Sequence, residues 1–255
     1  INNIMLLALD IGNTNVTVGI IKSSEIVEIH RIDSITSANV GLNNLNLTEI
    51  TNAIISSVVP TQTIDYKKAC EQLLNISPFI VKYNNIQGLE LDVEKPSSVG
   101  ADRICNVIGA NHKYSNPKII VDFGTATTYD VVDNRGAFIG GAIAPGIDVS
   151  ANFLYNKAAL LRDTTFQFPD LVVGKNTETN LQSGIMFGAV DAVEGMVQRI
   201  KNEMNWQQYK VILTGGFSKV ISPGISFNHN VEPFLTLYGM EIIYSILKIK
   251  NKSSD

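Results

Sequence analysis

Runs of apolar residues that end in polar residues mark the predicted strands in the first half of the chain. Residues 4–9 are continuously apolar and lead directly into Asp10 and Gly12, the pattern of a central strand covered on both faces. Further β-rich segments predict strands at residues 16–21, 26–32, 53–59 and 79–81. Helical spacing of apolar positions predicts a helix at residues 65–74. For the first half we predict the coarse outline β-β-β-α-β-α-β, in which a further helix lies between the strands at residues 26–32 and 53–59.

The second half repeats this plan. Residues 119–121 are apolar and run into Asp122 and Gly124, and β-rich segments predict strands at residues 129–132, 137–143 and 210–213. Aligned on Asp10 and Asp122, the halves are offset by 112 residues, close to half of the 255-residue chain. Such an offset indicates a duplicated domain rather than a short repeat. We place the boundary within residues 110–117 and predict domains at residues 1–115 and 116–255.

Two further helices are predicted in the second half. The longer one has apolar residues in steps of three or four, which predicts a face packed against the core. These residues are Leu181, Ile185, Ala189, Val193, Met196, Ile200 and Met204. The closing helix is predicted at residues 241–250.

Composition favours a folded protein that acts on small molecules. Apolar residues make up 45% of the chain, charged residues only 17%, and the formal net charge is −4. A negative chain has no global field to attract nucleic acid or anionic lipid, so we expect neither as a partner. No apolar run approaches the roughly 18 residues of a membrane helix, and we expect no secretory leader. Cys70 and Cys105 are interpreted as buried thiols, in keeping with a cytoplasmic protein.

Several common catalytic motifs are missing from the sequence. Gly174-Lys175 is followed by Asn176, so there is no Walker A loop, and no two glycines have the i, i+2 spacing of a dinucleotide fingerprint. Neither G-x-S-x-G nor H-E-x-x-H occurs. Hydrolase and zinc-enzyme interpretations lose their usual support.

The loop that follows the first strand can bind phosphate. Its backbone N–H groups, together with the side chains of Asn13 and Thr14, can face a phosphate, while Gly12 permits close approach. Asp10 would hold hydrated Mg²⁺ through phosphate and water. A single D-x-G is ordinary turn chemistry. Two copies, each after a buried strand, favour a nucleotide site, with residues 124–128 as the matching loop.

The segment Gly100-Ala101-Asp102-Arg103 stands at the start of an apolar helical stretch. Asp102 has two interpretations. An acidic residue in a first helical turn is favoured by the helix macrodipole. Alternatively, Asp102 accepts a proton from a substrate hydroxyl while Arg103 pairs with an anionic part of the same substrate, as phosphoryl transfer requires.

Five motifs together carry a resemblance to a known family. They are Asp10-Ile11-Gly12-Asn13-Thr14-Asn15, Gly100-Ala101-Asp102-Arg103, Asp122-Phe123-Gly124-Thr125-Ala126-Thr127, Gly140-Gly141-Ala142-Ile143-Ala144-Pro145-Gly146 and Thr214-Gly215-Gly216. In this order and spacing they closely resemble type III pantothenate kinase over nearly the whole chain. The resemblance implies an α/β fold of duplicated ribonuclease-H-like, actin-like ATPase domains, with mixed sheets flanked by helices. It also implies a homodimer and ATP-dependent phosphorylation of pantothenate to 4′-phosphopantothenate, the first step of coenzyme A synthesis.

Residue roles follow from the same resemblance. It implies that Asp102 is the general base and that Asp122 coordinates a monovalent cation, K⁺ or NH₄⁺. Thr177 matches a substrate-contacting threonine near the dimer interface. Pantothenate would be held by Gly100, Ala101, Asp102 and Arg103. ATP, with its Mg²⁺, would be bound by Asp10, Ile11, Gly12, Asn13, Thr14, Asn15, Val16, Thr17 and Thr125.

One residue departs from the family pattern. Val93 stands where family members commonly carry a tyrosine that contacts pantothenate, so an aromatic contact or a hydroxyl hydrogen bond would be missing. Two alternative functions stay open at this point: a kinase for another small hydroxylated acid or sugar, and a non-catalytic nucleotide-binding accessory or regulatory protein of the same fold.

Overall fold

The computed structural model describes residues 5–252 of the chain. It forms two compact units. The first unit ends at Lys113 and resumes at Leu235, and the second is Tyr114–Phe234. The first residue of the predicted opening strand, Ile4, lies outside the described residues.

Ten strands and seven α-helices are present in the described residues. The strands are β1 (Met5–Ile11), β2 (Asn15–Lys22), β3 (Glu25–Asp33), β4 (Asn52–Ser57), β5 (Phe79–Ile80), β6 (Lys118–Phe123), β7 (Ala126–Val132), β8 (Phe138–Pro145), β9 (Lys210–Gly215) and β10 (Asn230–Val231). The helices are α1 (Ala38–Asn43), α2 (Pro60–Leu74), α3 (Ala101–Lys113), α4 (Ile147–Lys157), α5 (Thr177–Glu203), α6 (Ser218–Ile221) and α7 (Leu235–Lys252).

The two units contain sheets of the same topology. In the first the strand order is β3-β2-β1-β4-β5, and in the second it is β8-β7-β6-β9-β10. The central strands β1 and β6 are each antiparallel to the strand that follows them and parallel to β4 and β9, respectively. They end at Ile11 and Phe123, which reproduces the offset of 112 residues. The predicted duplication is confirmed.

Burial explains why the opening strand is so apolar. Leu6, Leu7, Leu9 and Ile11 are all buried, since β1 lies in the middle of its sheet. The charged exception, Asp10, is the penultimate residue of the strand and is only half-buried. The central strand therefore delivers one carboxylate to the carboxyl edge of the sheet.

The last helix packs with the first unit. Helix α7 lies against α3 and β1, and the Thr236 hydroxyl donates to Asn106 Oδ1 at 2.9 Å. The two helices approach closely at Gly239, where an added Cβ would lie 2.6 Å from the carbonyl carbon of Cys105. The predicted domain 116–255 included this helix. The packing of α7 assigns it to the first unit instead. This packing joins segments that are distant in sequence, so no local pattern of residues reveals it.

Three helices differ from prediction in their boundaries or buried faces. Helix α7 begins at Leu235 rather than at residue 241. Helix α2 begins at Pro60 rather than at residue 65, because proline suits the first helical turn, where its missing N–H is not needed. On α5 the buried apolar residues are Met186, Val190, Val193 and Val197. The predicted stripe lies beside this face and, except for Val193, is only partly buried. Its first members, Leu181, Ile185 and Ala189, line a cavity of about 530 Å³.

The second unit has an exposed apolar surface. Ile143 on β8 is 67% exposed and Phe153 on α4 is 64% exposed. Val149 and Leu154, also on α4, are exposed as well. Across the described part of the chain, no helix combines the length and hydropathy needed to cross a membrane.

Candidate active site

Asp10 is held at the end of β1 by the neighbouring strand. The parallel register of β1 and β4 pairs Asp10 with Ser56. The Ser56 hydroxyl donates a hydrogen bond to Asp10 Oδ1 at 2.9 Å, and Ser56 is fully buried. A carboxylate fixed in this way can receive a metal ion that is bound mainly by phosphate oxygens.

The loop from β1 to β2 presents an open backbone. Gly12 N donates to the Asn15 carbonyl at 3.0 Å, which closes a short hairpin. Asn13, Thr14 and Asn15 are exposed, so their polar groups are accessible to a ligand. Two other residues predicted to bind ATP, Ile11 and Val16, are buried in the core. The side chains of these two therefore do not face solvent, while Thr17 is half-buried.

Asp102 lies in the first turn of α3. Its Oδ1 accepts a hydrogen bond from Arg103 N at 2.8 Å. Burial raises the pKa of the Asp102 carboxyl, and this effect is only partly opposed by the hydrogen bond and positive charge of Arg103. A carboxylate with a raised pKa is a stronger base than an exposed aspartate, which suits proton abstraction. The macrodipole interpretation and the catalytic one are compatible at this position.

Gly100 leaves room for the side chain of Asp102 because glycine has no Cβ. A Cβ added at Gly100 would collide with Asp102 Oδ1 and would lie 3.3 Å from Val58 Cγ1. Ala101 is buried, whereas Arg103 is half-buried. In the segment predicted to bind substrate, the backbone at Gly100 and Ala101 is therefore closely packed. The positively charged Arg103 is partly accessible to solvent.

The negative charges of Asp10 and Asp102 both act on the thiol of Cys105. This thiol is fully buried, and burial, followed by the negative charges of Asp10 and Asp102, raises its pKa well above the usual range. The neighbouring Ser56 hydroxyl opposes this effect and lowers the pKa of the thiol. The prediction of two buried free thiols is confirmed for Cys70 and Cys105. Sequence reasoning missed Ser56, although a polar pair at the end of the apolar run 53–55 was a usable signal.

Asp122 occupies the equivalent position in the second unit. The register pairs it with Thr128 on β7 and Thr214 on β9. Gly215 has a positive φ of 84°. A Cβ there would collide with Asp122 Oδ1 and lie 2.7 Å from the Phe123 carbonyl oxygen. A carboxylate oxygen and a carbonyl oxygen thus lie around one glycine, and hard cations bind oxygens of these two kinds.

Thr125 lies in the loop between β6 and β7 and is exposed. Gly146, which precedes α4, donates its N–H to the Thr125 carbonyl at 3.1 Å. A Cβ at Gly146 would collide with the carbonyl oxygens of Gly124 and Thr125. The glycine that ends the Gly140–Gly146 motif therefore fixes the backbone of this loop and leaves the threonine side chain outward.

Thr177 and Val93 are in less constrained positions. Thr177 is the first residue of α5 and is exposed, next to the N-cap Asn176, whose side chain accepts from Thr179 N at 2.9 Å. Val93 is half-buried in a bend between β5 and α3.

Within residues 5–252, no group of three or more His, Cys, Asp and Glu side chains could hold a metal ion by itself.

Comparisons with known proteins identify the family of this chain. The family model of type III pantothenate kinase matches residues 6–199. A type III pantothenate kinase from Thermomicrobium roseum is 41% identical over 251 residues, which cover 94% of this chain and 96% of the relative.

Solved structures show the fold. A protein from Campylobacter jejuni, described as a Baf family transcriptional activator, has a TM-score of 0.62 at 19% identity and covers 95% of this chain and 99% of its own. MreB 5 of Spiroplasma citri, bound to AMPPNP, has a TM-score of 0.55 at 9% identity and covers 99% of both chains. The predicted duplicated, actin-like α/β fold is confirmed. On the family model and the identity to its relative, this chain belongs to the type III pantothenate kinase family.

Proposed function

We propose that this chain phosphorylates pantothenate with ATP, the reaction of its family in coenzyme A synthesis, and that Asp102 is the general base. One observation carries the assignment of the base. Asp102 is a carboxylate with a pKa raised by burial, at the head of α3, and its charge acts on the same buried thiol as that of Asp10. Phosphoryl transfer needs a positioned phosphate and a carboxylate that orients the nucleophile.

In the proposed reaction Asp102 accepts the proton of the primary hydroxyl of pantothenate. The hydroxyl oxygen forms a bond to the γ-phosphorus of ATP in line with the breaking bond to the bridging oxygen, and ADP leaves. Gly100, Ala101 and Arg103 hold pantothenate beside the base. The half-buried Arg103 guanidinium is suited to pair with the carboxylate of this substrate.

ATP is assigned to the loop that follows β1. The exposed side chains of Asn13, Thr14 and Asn15, together with the backbone of the turn that they form, can bind phosphate oxygens. Thr125, whose side chain is exposed, is assigned to ATP as well. Asp10 is assigned to Mg²⁺, which supplies neutralisation of phosphate charge when bound. The fully buried Ser56 beside Asp10 and the absence of an all-protein metal cluster among the described residues suit an ion held chiefly by substrate phosphates.

Asp122 is assigned to a monovalent cation, K⁺ or NH₄⁺. The oxygens of Asp122 and Phe123 around the Cα of Gly215 are a suitable donor set, and a side chain at Gly215 would fill the space. A cation bound there would supply positive charge that balances this carboxylate.

We also propose a homodimer that acts in the cytoplasm. The exposed apolar side chains of Ile143, Val149 and Phe153 on the second unit support a protein interface. Thr177, exposed at the start of α5, is assigned to pantothenate near that interface. The two free, buried cysteines are in keeping with a reducing compartment.

A coupled assay of ADP release tests the function. The wild-type protein should release ADP with pantothenate and much less with sugars or other hydroxylated acids. ADP release with another acceptor, and none with pantothenate, would identify a different kinase. No release with any acceptor, despite ATP binding, would indicate an accessory protein. The KM for pantothenate measures what Val93 contributes, and Val93→Tyr should lower it if the family's tyrosine contact is missing here.

A further inference from the structure

Ser56 carries a role that the family motifs do not assign. We propose that Ser56 is a positioning residue for Asp10, holding that carboxylate in the orientation in which it meets the magnesium complex of ATP. The inference rests on the proposed function, because it takes Asp10 as the residue that faces Mg²⁺. Its basis is the hydrogen bond of 2.9 Å from the Ser56 hydroxyl to Asp10 Oδ1.

The backbone leaves this hydrogen bond little freedom. Strands β1 and β4 are paired in parallel, with Leu9 opposite Ile55 and Asp10 opposite Ser56. Leu9, Ile55 and Ser56 are all fully buried, so the hydroxyl cannot turn to solvent. The terminal torsion of an aspartate is otherwise broad. A charge-assisted hydrogen bond from a fixed donor therefore selects one orientation of the carboxylate.

The second unit repeats the arrangement of residue types. Strand β9 buries Val211, Ile212 and Leu213 and then places Thr214, also buried, opposite Asp122. Strand β4 likewise buries apolar residues before Ser56. Packing alone would favour another apolar side chain at these two positions. Each D-x-G aspartate nevertheless has a hydroxyl residue opposite it. This repetition indicates that the carboxylate, rather than packing, requires a polar neighbour.

The test compares Ser56→Ala with the matched control Ser57→Ala. Ser57 is the last residue of β4, and its hydroxyl contacts Val59 and Thr63 beyond the strand rather than Asp10. Calorimetric titration with ATP, with and without Mg²⁺, gives the affinity of each form. Ser56→Ala should weaken binding of the magnesium complex about tenfold, as loss of such a supporting hydrogen bond does at metal sites. Binding of metal-free ATP, and both affinities of Ser57→Ala, should stay within about twofold of wild type.

A double-mutant cycle separates positioning from packing. In an Asp10→Asn background, Ser56→Ala should cause little further loss, because Ser56 acts through Asp10. Unchanged binding of the magnesium complex in Ser56→Ala, equal weakening with and without Mg²⁺, or losses that add in the double variant would each overturn the proposal. These titrations contain no pantothenate. Failure of the proposed function appears separately, as absent ADP release by the wild type.

Discussion

The contact between α3 and α7 predicts an unusually costly glycine substitution. Gly239 lies against the backbone of α3, so that a Cβ would collide with the Cys105 carbonyl oxygen and lie 2.6 Å from its carbon. Gly109 faces the same crossing from α3, where a Cβ would lie 3.0 Å from the Leu235 carbonyl oxygen and 3.1 Å from Gly239 N. Because the obstacles are backbone atoms, no rotamer change can relieve the clash in Gly239→Ala.

The magnitude follows from the distances. Non-bonded carbon atoms prefer separations of about 3.5–4.0 Å, so the contact at 2.6 Å alone requires the helices to separate by at least about 1 Å, and the closer carbonyl oxygen requires more. Overpacking of this kind costs about 1–3 kcal/mol, and a backbone obstacle puts this site near the upper end. Alanine regains about 1 kcal/mol of helix propensity over glycine. The expected net loss in the free energy of unfolding is about 2 kcal/mol.

Urea unfolding followed by circular dichroism measures this loss. Gly195→Ala on α5 is the matched control, since a Cβ there would meet nothing within 4 Å. It should leave stability unchanged or raise it by up to about 1 kcal/mol. Helix α3 also carries Asp102, so the shift in Gly239→Ala should lower kcat about tenfold or more, whereas Gly195→Ala should retain it. A Gly239→Ala protein within about 0.5 kcal/mol of wild type would refute the close crossing of these helices.

Three further predictions test the assigned residues. Since burial raises the pKa of Asp102, the base is lost at a higher pH than an exposed aspartate would be. The acid limb of kcat/KM should therefore lie above the ordinary aspartate range, and a limb within that range would contradict the base. Turnover should be faster in K⁺ than in Na⁺, and Asp122→Asn should remove the difference; equal rates in the wild type would exclude the cation site. Phe153→Asp should convert a dimer to monomers in sedimentation velocity, and a monomeric wild type would contradict the interface.

Much of the fold could be predicted because its signals are local. The apolar runs before Asp10 and Asp122 are central strands, since only strands covered on both faces tolerate such sequences. The D-x-G loops follow directly from these strands. Their identical positions at the ends of β1 and β6 reflect the duplicated topology.

The parts that could not be predicted depend on contacts between distant segments. The pairing of Ser56 with Asp10 is set by strand register across 46 residues. The assignment of α7 to the first unit depends on its close packing against α3. Helix α5 has apolar residues on more than one side, so its sequence allows more than one buried face. The face that is buried depends on how the helix packs in the folded protein. Local periodicity contains none of this information.

The central claim is that Asp102 removes the proton when pantothenate is phosphorylated. Phosphorus NMR of a mixture of ATP, Mg²⁺, K⁺ and pantothenate tests it directly, with wild type compared with Asp102→Asn. We predict that the wild type forms 4′-phosphopantothenate and ADP in equal amounts. The variant should fold and bind ATP but form almost no product. Product formation by Asp102→Asn at near the wild-type rate, or ADP formation by the wild type without phosphopantothenate, would contradict the account.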